Sequence, residues 1–352
     1  MPKNSGNSRP SAYLAPAMTD SEPVLSTLDA LPEAGRIRSR KVSSGVATII
    51  ADASGLGAGE RKALEANLKS AAALVPGIRE VRVGLTASEP SRKLVAVASG
   101  KGGVGKSTLA ANLAIAIAKT GKKVGLIDAD VYGPSQTKLL GTDERPTADD
   151  KRLNPVRAHG IRFLSLGQLV SPGHALAWRG PMASGALAQL IEADWGDAEI
   201  LVVDLPPGTG DVQLSLAQKS RPDGAVIVST PQALSLIDAT RAIDLFGKVS
   251  VPVIGLVENM SGYVCPHCGE RSDPFGSGGA EEAAQAMGIP FLGRIPLDQS
   301  IREASDAGTP PVTTSGPQSE AFEAIARKVL AALETAPAEK HSPAEEIADA
   351  SK

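Results

Sequence analysis

Short apolar runs alternate with longer helical patterns along most of this 352-residue chain. The runs contain four to six residues and are rich in Val, Ile and Leu, which is typical of strands buried on both faces. They lie at 94–98, 122–127, 161–166, 200–203, 225–229, 253–257 and 291–295. Apolar residues at helical spacing predict helices near 106–118, 179–192, 233–247, 277–287, 298–306 and 317–334. The alternation predicts an α/β fold, in which helices cover both faces of a mostly parallel sheet.

The pattern divides the chain into a small unit and a large one. Residues 23–87 predict a small α+β domain, with a β-rich stretch at 42–51, a helix at 60–75 and an alternating strand from residue 80. A polar linker at 88–93 leads to the main domain at 94–335. The polar ends, 1–22 and 336–352, predict a flexible leader and a disordered tail.

The junction between the first strand of the main domain and its helix carries the clearest chemistry. The strand is followed by Gly-x-x-x-x-Gly-Lys-Ser and then by an apolar-periodic helix, the order that defines a P-loop. Its glycines allow the backbone to approach a polyphosphate, Lys106 would reach the β- and γ-phosphates, and Ser107 would bind Mg²⁺. A plain glycine turn explains the spacing less well, because the flanks fit too. The predicted nucleotide-binding residues here are Gly100, Lys101, Gly102, Gly103, Val104, Gly105, Lys106, Ser107 and Thr108.

Two further strands end in acidic residues, at the edge of the sheet where open α/β folds bind ligands. Asp128 and Asp130 open the sequence DADVYGPS, from which they would reach Mg²⁺ or a water near the γ-phosphate. They also suit an Asx turn, and the two interpretations are compatible. Asp204 follows the strand at 200–203 and would hold a water bound to Mg²⁺. The glycines after it suit a loop that senses the γ-phosphate, although a plain turn also favours them.

The chain contains two cysteines, Cys265 and Cys268, which are too few for a disulfide framework and favour a reducing cytoplasm. Their C-x-x-C spacing suits a metal or a redox pair, but the surrounding pattern is not that of a thioredoxin unit. The polar sequence CPHCGE disfavours inert core cysteines. One chain supplies two thiolates, and two chains would supply the four that a [4Fe–4S] cluster or a tetrahedral zinc requires.

The motif GKGGVGKST, with an early lysine at position 101, resembles the deviant Walker A loop of nitrogenase iron protein, MinD, the partition ATPases and the Mrp/ApbC group. Together with DADVYGPS, WRGPM, DLPPGTGD, VENM and CPHCGE in this order, residues 94–333 resemble the Mrp/ApbC iron–sulfur cluster carriers. The resemblance implies a homodimer that hydrolyses ATP, binds a labile cluster between its chains and transfers it to apo-proteins.

The resemblance also implies roles for individual residues. Lys101 would act across the dimer on the partner's nucleotide, and Asp130 would orient the attacking water, with Asp128 supporting the metal. Asn259 would read the adenine, although an asparagine after a strand is by itself usually a turn residue. The small domain before residue 88 is similar to one that precedes the ATPase in Mrp-type proteins, but it contains no cysteine.

Overall charge offers little support for other partners. The chain has 36 basic and 39 acidic residues, a net charge of −3, which gives no global case for nucleic acid or an anionic membrane. Its longest apolar run is too short to span a bilayer, and the first residues lack the apolar core of a secretory signal. A MinD- or partition-type positioning ATPase would need a basic amphipathic C-terminal helix, whereas residues 336–352 contain four acidic and two basic residues. A module that uses nucleotide only structurally, and an ATPase with a bridging zinc, remain alternatives.

Overall fold

The computed structural model describes residues 28–54, 56–86, 92–149, 152–169 and 180–335. The predicted leader and tail, most of the linker, and Trp178 and Arg179 of the WRGPM motif lie outside these residues. The chain divides into two compact units, residues 1–89 and 90–352.

The first unit is a three-stranded sheet covered by one helix. Its elements are β1 (Ile37–Ser43), β2 (Val46–Asp52), α1 (Ala58–Ala73) and β3 (Glu80–Thr86). β2 is central, antiparallel to β1 and parallel to β3. Leu64 and Leu68 of α1 lie in one buried cluster with Ala47, Ile49 and Ala51 of β2. The β-rich stretch predicted at 42–51 covers the end of β1 and most of β2, and Ser44 and Gly45 adopt positive φ where the chain turns between these two strands.

The second unit is built on one large sheet. Its strands are β4 (Lys93–Ala98), β5 (Val124–Asp128), β6 (Thr147–Asp149), β7 (Arg152–Asn154), β8 (Val156–Ala158), β9 (Ile161–Ser165), β10 (Ile200–Asp204), β11 (Gly224–Ser229), β12 (Val253–Glu258), β13 (Tyr263–Val264), β14 (Arg271–Ser272) and β15 (Phe291–Arg294). Its helices are α2 (Lys106–Lys119), α3 (Gln136–Leu139), α4 (Gly180–Ile191), α5 (Asp211–Ser220), α6 (Ala233–Lys248), α7 (Gly279–Met287), α8 (Gln299–Asp306) and α9 (Pro317–Thr335).

Eight strands pair in the order β15-β12-β11-β4-β10-β5-β9-β8. Every neighbouring pair is parallel except β8 and β9, so the prediction of a mostly parallel sheet is confirmed. The hairpins β6–β7 and β13–β14, the edge strand β8 and helix α5 were not predicted. Strands of two or three residues are too short to show a period of two, so apolar patterning gives no signal for them.

The core lies in two layers, one on each face of the sheet. Leu109, Leu113 and Ile117 of α2 are fully buried in the layer that contains α9. Trp195 and Phe246 are the largest buried side chains of the other layer, which α4 to α7 cover. Each such side chain contributes roughly 1.5–3 kcal/mol by leaving water. Because β4, β5, β10 and β12 run in the same direction, their carboxyl ends lie along one edge of the sheet. No described helix is both long enough and apolar enough to cross a membrane.

Candidate functional site

Glycines in the loop between β4 and α2 meet two different requirements, a positive φ and close packing. Gly103 has a φ of +79° and open space where a Cβ would stand, and it is exposed to solvent. A Cβ on Gly100 would lie 2.0 Å from the carbonyl oxygen of Asp238, and a Cβ on Gly105 would lie 2.1 Å from Nδ2 of Asn259. The loop is therefore open towards a ligand and tightly packed on its other side.

Lys106, the first residue of α2, lies in a buried cluster of charges. Its side chain is only 6% exposed, and its Nζ contacts Oδ1 of Asp204 directly. Oδ2 of Asp130 is 3.7 Å from the same nitrogen, and the Ser107 hydroxyl is 3.2 Å away. The fold thus brings together four predicted site residues from β10, α2 and the loop after β5. An ammonium group paired with carboxylates here is available to a polyphosphate that displaces them.

Asp128 organises the turn that follows β5. Its Oδ2 accepts hydrogen bonds from the N–H groups of Ser135 and Gln136 and from the Ser165 hydroxyl, over 2.9 to 3.1 Å. Its Oδ1 accepts the N–H of Asp130. Burial and the nearby carboxylate of Asp204 raise the pKa of Asp128 to about 7, although these hydrogen bonds and Lys106 oppose the shift. Asp128 therefore serves first as the centre of the turn.

Asp130 forms a second Asx turn. Its Oδ1 accepts the N–H groups of Tyr132 and Gly133, both over 3.1 Å. This leaves Oδ2 directed towards Lys106. The predicted Asx turn and a catalytic position for Asp130 are thus compatible in one geometry.

The loop is also contacted from β12. Asn259 follows that strand, and its Nδ2 donates to the carbonyl oxygen of Val104 over 2.8 Å. Lys101 is half-buried, and its carbonyl oxygen accepts the Ser99 hydroxyl. Within the described parts of the chain, the Lys101 ammonium group makes no hydrogen bond or ion pair.

Cys265 and Cys268 lie in the turn between β13 and β14. The N–H of Cys265 donates to the carbonyl oxygen of Glu270, and the N–H of Gly269 donates to that of Cys265, each over 2.9 Å. Cys268 is exposed and Cys265 is half-buried. The pKa of Cys265 is held below its ordinary value by the backbone N–H groups of Cys268 and His267, and by the Cys268 side chain. A stabilised thiolate at the surface is the form that binds metal.

The residues of the loop fit a magnesium nucleotide. The backbone at Gly102 and Gly103 is exposed and leaves room for phosphate oxygens, since the nearest atom to a Cβ built at either position belongs to Pro207 and lies 3.9 Å away. Asp204 and the Ser107 hydroxyl supply oxygen donors, which Mg²⁺ prefers. Beside them, Oε1 of Gln136 is buried and accepts no hydrogen bond from the described residues. A hydrated cation at this position would supply the missing donor.

The profile of a protein family, described as ParA: NUBPL iron-transfer P-loop NTPase, matches residues 91–330. The chain belongs to this family of iron-transfer P-loop NTPases. The fold and the family that the motifs predicted are confirmed.

Similar proteins agree with this membership. The iron–sulfur cluster carrier protein of Deinococcus radiodurans is 48% identical over 274 residues, which cover 74% of this chain and 77% of that protein. A nucleotide-binding protein of Archaeoglobus fulgidus, solved in complex with ADP, is 37% identical with a TM-score of 0.57, over 71% of this chain and 94% of that one. The cell division ATPase MinD of Pyrococcus furiosus has a TM-score of 0.54, over 68% and 98% of the two chains. Its identity is 22%, so that likeness shows the fold alone.

Two polar residues of this P-loop NTPase were missed by sequence reasoning. Gln136 donates from Nε2 to Oδ2 of Asp204 over 2.9 Å and to the carbonyl oxygen of Ser107 over 3.0 Å, so it joins both sides of the site. Its position directly after DADVYGPS is the only signal in the sequence. Glu258 is fully buried at the end of β12. Asp204 was predicted to be functional because it is an acidic residue at the end of an apolar strand. Glu258 ends its strand in the same way, so the same signal could have identified it.

Proposed function

We propose that this protein binds and hydrolyses ATP with Mg²⁺, and that it carries an iron–sulfur cluster which it transfers to apo-proteins. The observation that carries the proposal is the cysteine turn, whose two thiols lie at the surface six to nine residues after Asn259, the residue in contact with the nucleotide loop. Family membership and the cluster-carrier relative support the same function. The MinD-type alternative has only the fold in its favour.

In the hydrolytic step, the residues of the loop bind and orient the nucleotide. Lys106 leaves Asp204 and binds the β- and γ-phosphates, so that positive charge lies where negative charge develops. Asp130, fixed by its own Asx turn, accepts a hydrogen bond from the attacking water with its free Oδ2. Mg²⁺, held by Ser107 and by Asp204 through water, would neutralise phosphate charge. Asn259 would contact the adenine.

The cluster is the cargo of the protein, and Cys265 and Cys268 are its ligands. One chain supplies two thiolates, and a [4Fe–4S] cluster takes four, so two chains related by a two-fold axis would share it. Lys101, whose ammonium group makes no hydrogen bond or ion pair with the described residues, would reach the nucleotide of the partner chain in the same homodimer. The two cysteines and Lys101 thus support the same homodimer.

Domain division, partners and cellular location complete the proposal. We infer a small domain at 23–87, a linker at 88–93 and the NTPase domain at 94–335, a division supported by the compact units on either side of residue 89. Apo iron–sulfur proteins are the inferred partners, with no role for nucleic acid or membrane. A cytoplasmic location suits free thiols that must stay reduced.

Anaerobic reconstitution with ferrous iron and sulfide tests the proposal. The full chain should gain a sulfur-to-iron charge-transfer absorption, about four iron atoms per two chains, and the mass of a dimer. Mixing with an apo-ferredoxin should move iron and sulfide to the acceptor, and phosphate release from ATP should require Mg²⁺. Retention of zinc without charge-transfer absorption would establish the zinc alternative. A loaded protein that transfers nothing would contradict the carrier role.

A further inference from the structure

The segment that contains both cysteines, residues 262–277, leaves the sheet after β12 and returns to it at α7. We call it the cysteine segment. Its two ends meet at Glu258, whose Oε1 accepts the Ser261 hydroxyl over 2.6 Å on the outgoing side. On the returning side, the N–H groups of Gly278 and Ala280 donate to Oε1 and Oε2 over 3.1 and 2.8 Å. A single buried carboxylate therefore closes the base of the cysteine segment.

The Glu258 carboxylate is ionised, and both of its oxygens accept hydrogen bonds. Burial alone would raise the pKa of Glu258, but the hydrogen bonds from Ser261, Ala280 and Gly278 and the charge of Arg294 hold it below its ordinary value. Nε of Arg294, at the end of β15, lies 3.3 Å from Oε1. A hydrogen bond to an ionised acceptor is roughly twice as strong as a neutral one, and a buried charge is costly once a donor leaves. We call Glu258 and its donors the clamp. Because the loss of any donor is costly, the positions of these donors around the carboxylate are narrowly defined.

The next residue along the chain contacts the nucleotide loop. Asn259 is tied to the sheet by its N–H, which donates to the carbonyl oxygen of Ser229 over 2.8 Å. Its Nδ2 bonds to Val104 and stands where a Cβ of Gly105 would be. Because the contact is this close, the backbone at 104–105 cannot shift without displacing Asn259. Neighbouring residues therefore hold the loop and the cysteine segment.

Nucleotide binding requires a change at the nucleotide loop. Lys106, which directly follows Gly105, is paired with Asp204 here, and it must turn away to bind a polyphosphate. We propose that Glu258 is a positioning residue which, with Asn259, transmits the occupancy of the nucleotide loop to the cysteine segment. This rests on the proposed function, since it assumes that the loop binds ATP and the segment holds the cargo. Bound nucleotide fixes the loop, steadies the base of the segment and makes its thiols less accessible.

Thiol alkylation of the iron-free, reduced full chain tests the coupling. The chain has only two cysteines, so the reaction with a maleimide reports the cysteine segment alone. A non-hydrolysable ATP analogue with Mg²⁺ should slow alkylation of the wild-type protein by about fivefold or more, the lower end of coupling between sites. In Glu258→Gln, one carboxylate oxygen becomes an NH2 group, so that a donor faces at least one of the N–H groups that the carboxylate accepted. The rates with and without nucleotide should then be equal, while a fluorescent ATP analogue binds as tightly as to wild type.

Asp223→Asn is the matched control. Asp223 is a partly buried carboxylate that likewise accepts a backbone N–H, that of Leu94, over 2.7 Å, and it also pairs with Lys93. It lies at the opposite end of β4 from the nucleotide loop, so the variant should keep the wild-type response. Ser261→Ala, which removes one neutral donor, should give an intermediate response and is the variant to use if Glu258→Gln does not fold.

Four outcomes would overturn the proposal: a wild-type protein whose alkylation ignores nucleotide, a wild-type response in Glu258→Gln, a full response in Ser261→Ala, or loss of the response in Asp223→Asn. Light scattering on the same samples adds a fifth. If Glu258→Gln loses nucleotide-dependent dimerisation along with the response, assembly explains the protection and the clamp does not. The assay needs neither iron nor hydrolysis. If the protein takes up no cluster, the carrier function is refuted, but the alkylation assay still measures the coupling between the nucleotide loop and the cysteine segment.

Discussion

The ammonium group of Lys106 lies against Oδ1 of Asp204, a residue 98 positions further along the chain. Both side chains are buried, and Asp130 lies within 3.7 Å of the same nitrogen. The pair connects the start of α2 to the end of β10. Because the lysine is already paired with a carboxylate, binding of a polyphosphate must exchange one anionic partner for another.

Lys106→Ala should abolish ATP hydrolysis, because the charge that stabilises the transferred phosphoryl group is lost. The variant should still fold, but without nucleotide it should be less stable by about 3–5 kcal/mol, since Asp204 is left as a buried, unpaired charge. Phosphate release and urea unfolding measure the two effects. Lys119→Ala, on the same helix but paired with Glu323 at the surface, is the control and should change neither substantially. Normal turnover by Lys106→Ala would refute the site assignment.

Asp130→Asn should bind ATP and fail to hydrolyse it. The asparagine keeps an oxygen for the N–H groups of Tyr132 and Gly133, so the turn survives, while the free carboxylate oxygen becomes an amide that cannot accept a proton or a hydrogen bond from water. Nucleotide affinity and single-turnover phosphate release separate binding from chemistry. Asp149→Asn, on the exposed strand β6, should behave as wild type. A turnover rate close to that of wild type would exclude Asp130 as the residue that orients water.

Lys101→Ala should lower turnover through the partner chain. In a mixed dimer of Lys101→Ala with Lys106→Ala, the chain with an intact Lys106 receives an intact Lys101 from its partner. One of the two sites should therefore work, although each parent homodimer is impaired. Phosphate release from mixed and separate variants makes the comparison, and the absence of any gain on mixing would place Lys101 in its own chain's site.

Cys265→Ala and Cys268→Ala should each lose nearly all iron after reconstitution. In a symmetric dimer, either substitution removes two of four thiolate ligands at once. ATP hydrolysis should largely survive, because the nucleotide loop uses no thiol. His267→Ala, which changes the residue between the cysteines and removes no thiolate, is the control and should load as wild type does. A full iron load in either cysteine variant, or a loaded wild-type monomer, would exclude a bridging cluster.

Local pattern was sufficient for most of the large unit. The seven predicted strands are all present, because a strand buried on both faces must be continuously apolar and can be recognised from its own residues. The glycine loop and the acidic strand ends were recognised for the same reason, since each motif lies within about ten residues of chain. The Ser44–Gly45 turn and α5 escaped because neither interrupts or extends a clear apolar period.

The sequence by itself therefore determined the α/β class, the nucleotide loop and the pair of thiols. Only the tertiary structure decided which distant residues meet. β10 lies between β4 and β5, and this order places Asp204 beside Lys106 and Gln136. The end of β12 likewise brings Glu258 under the cysteine segment. Such contacts join residues many positions apart, and they follow from the order and register of strands, for which apolar periodicity carries no information.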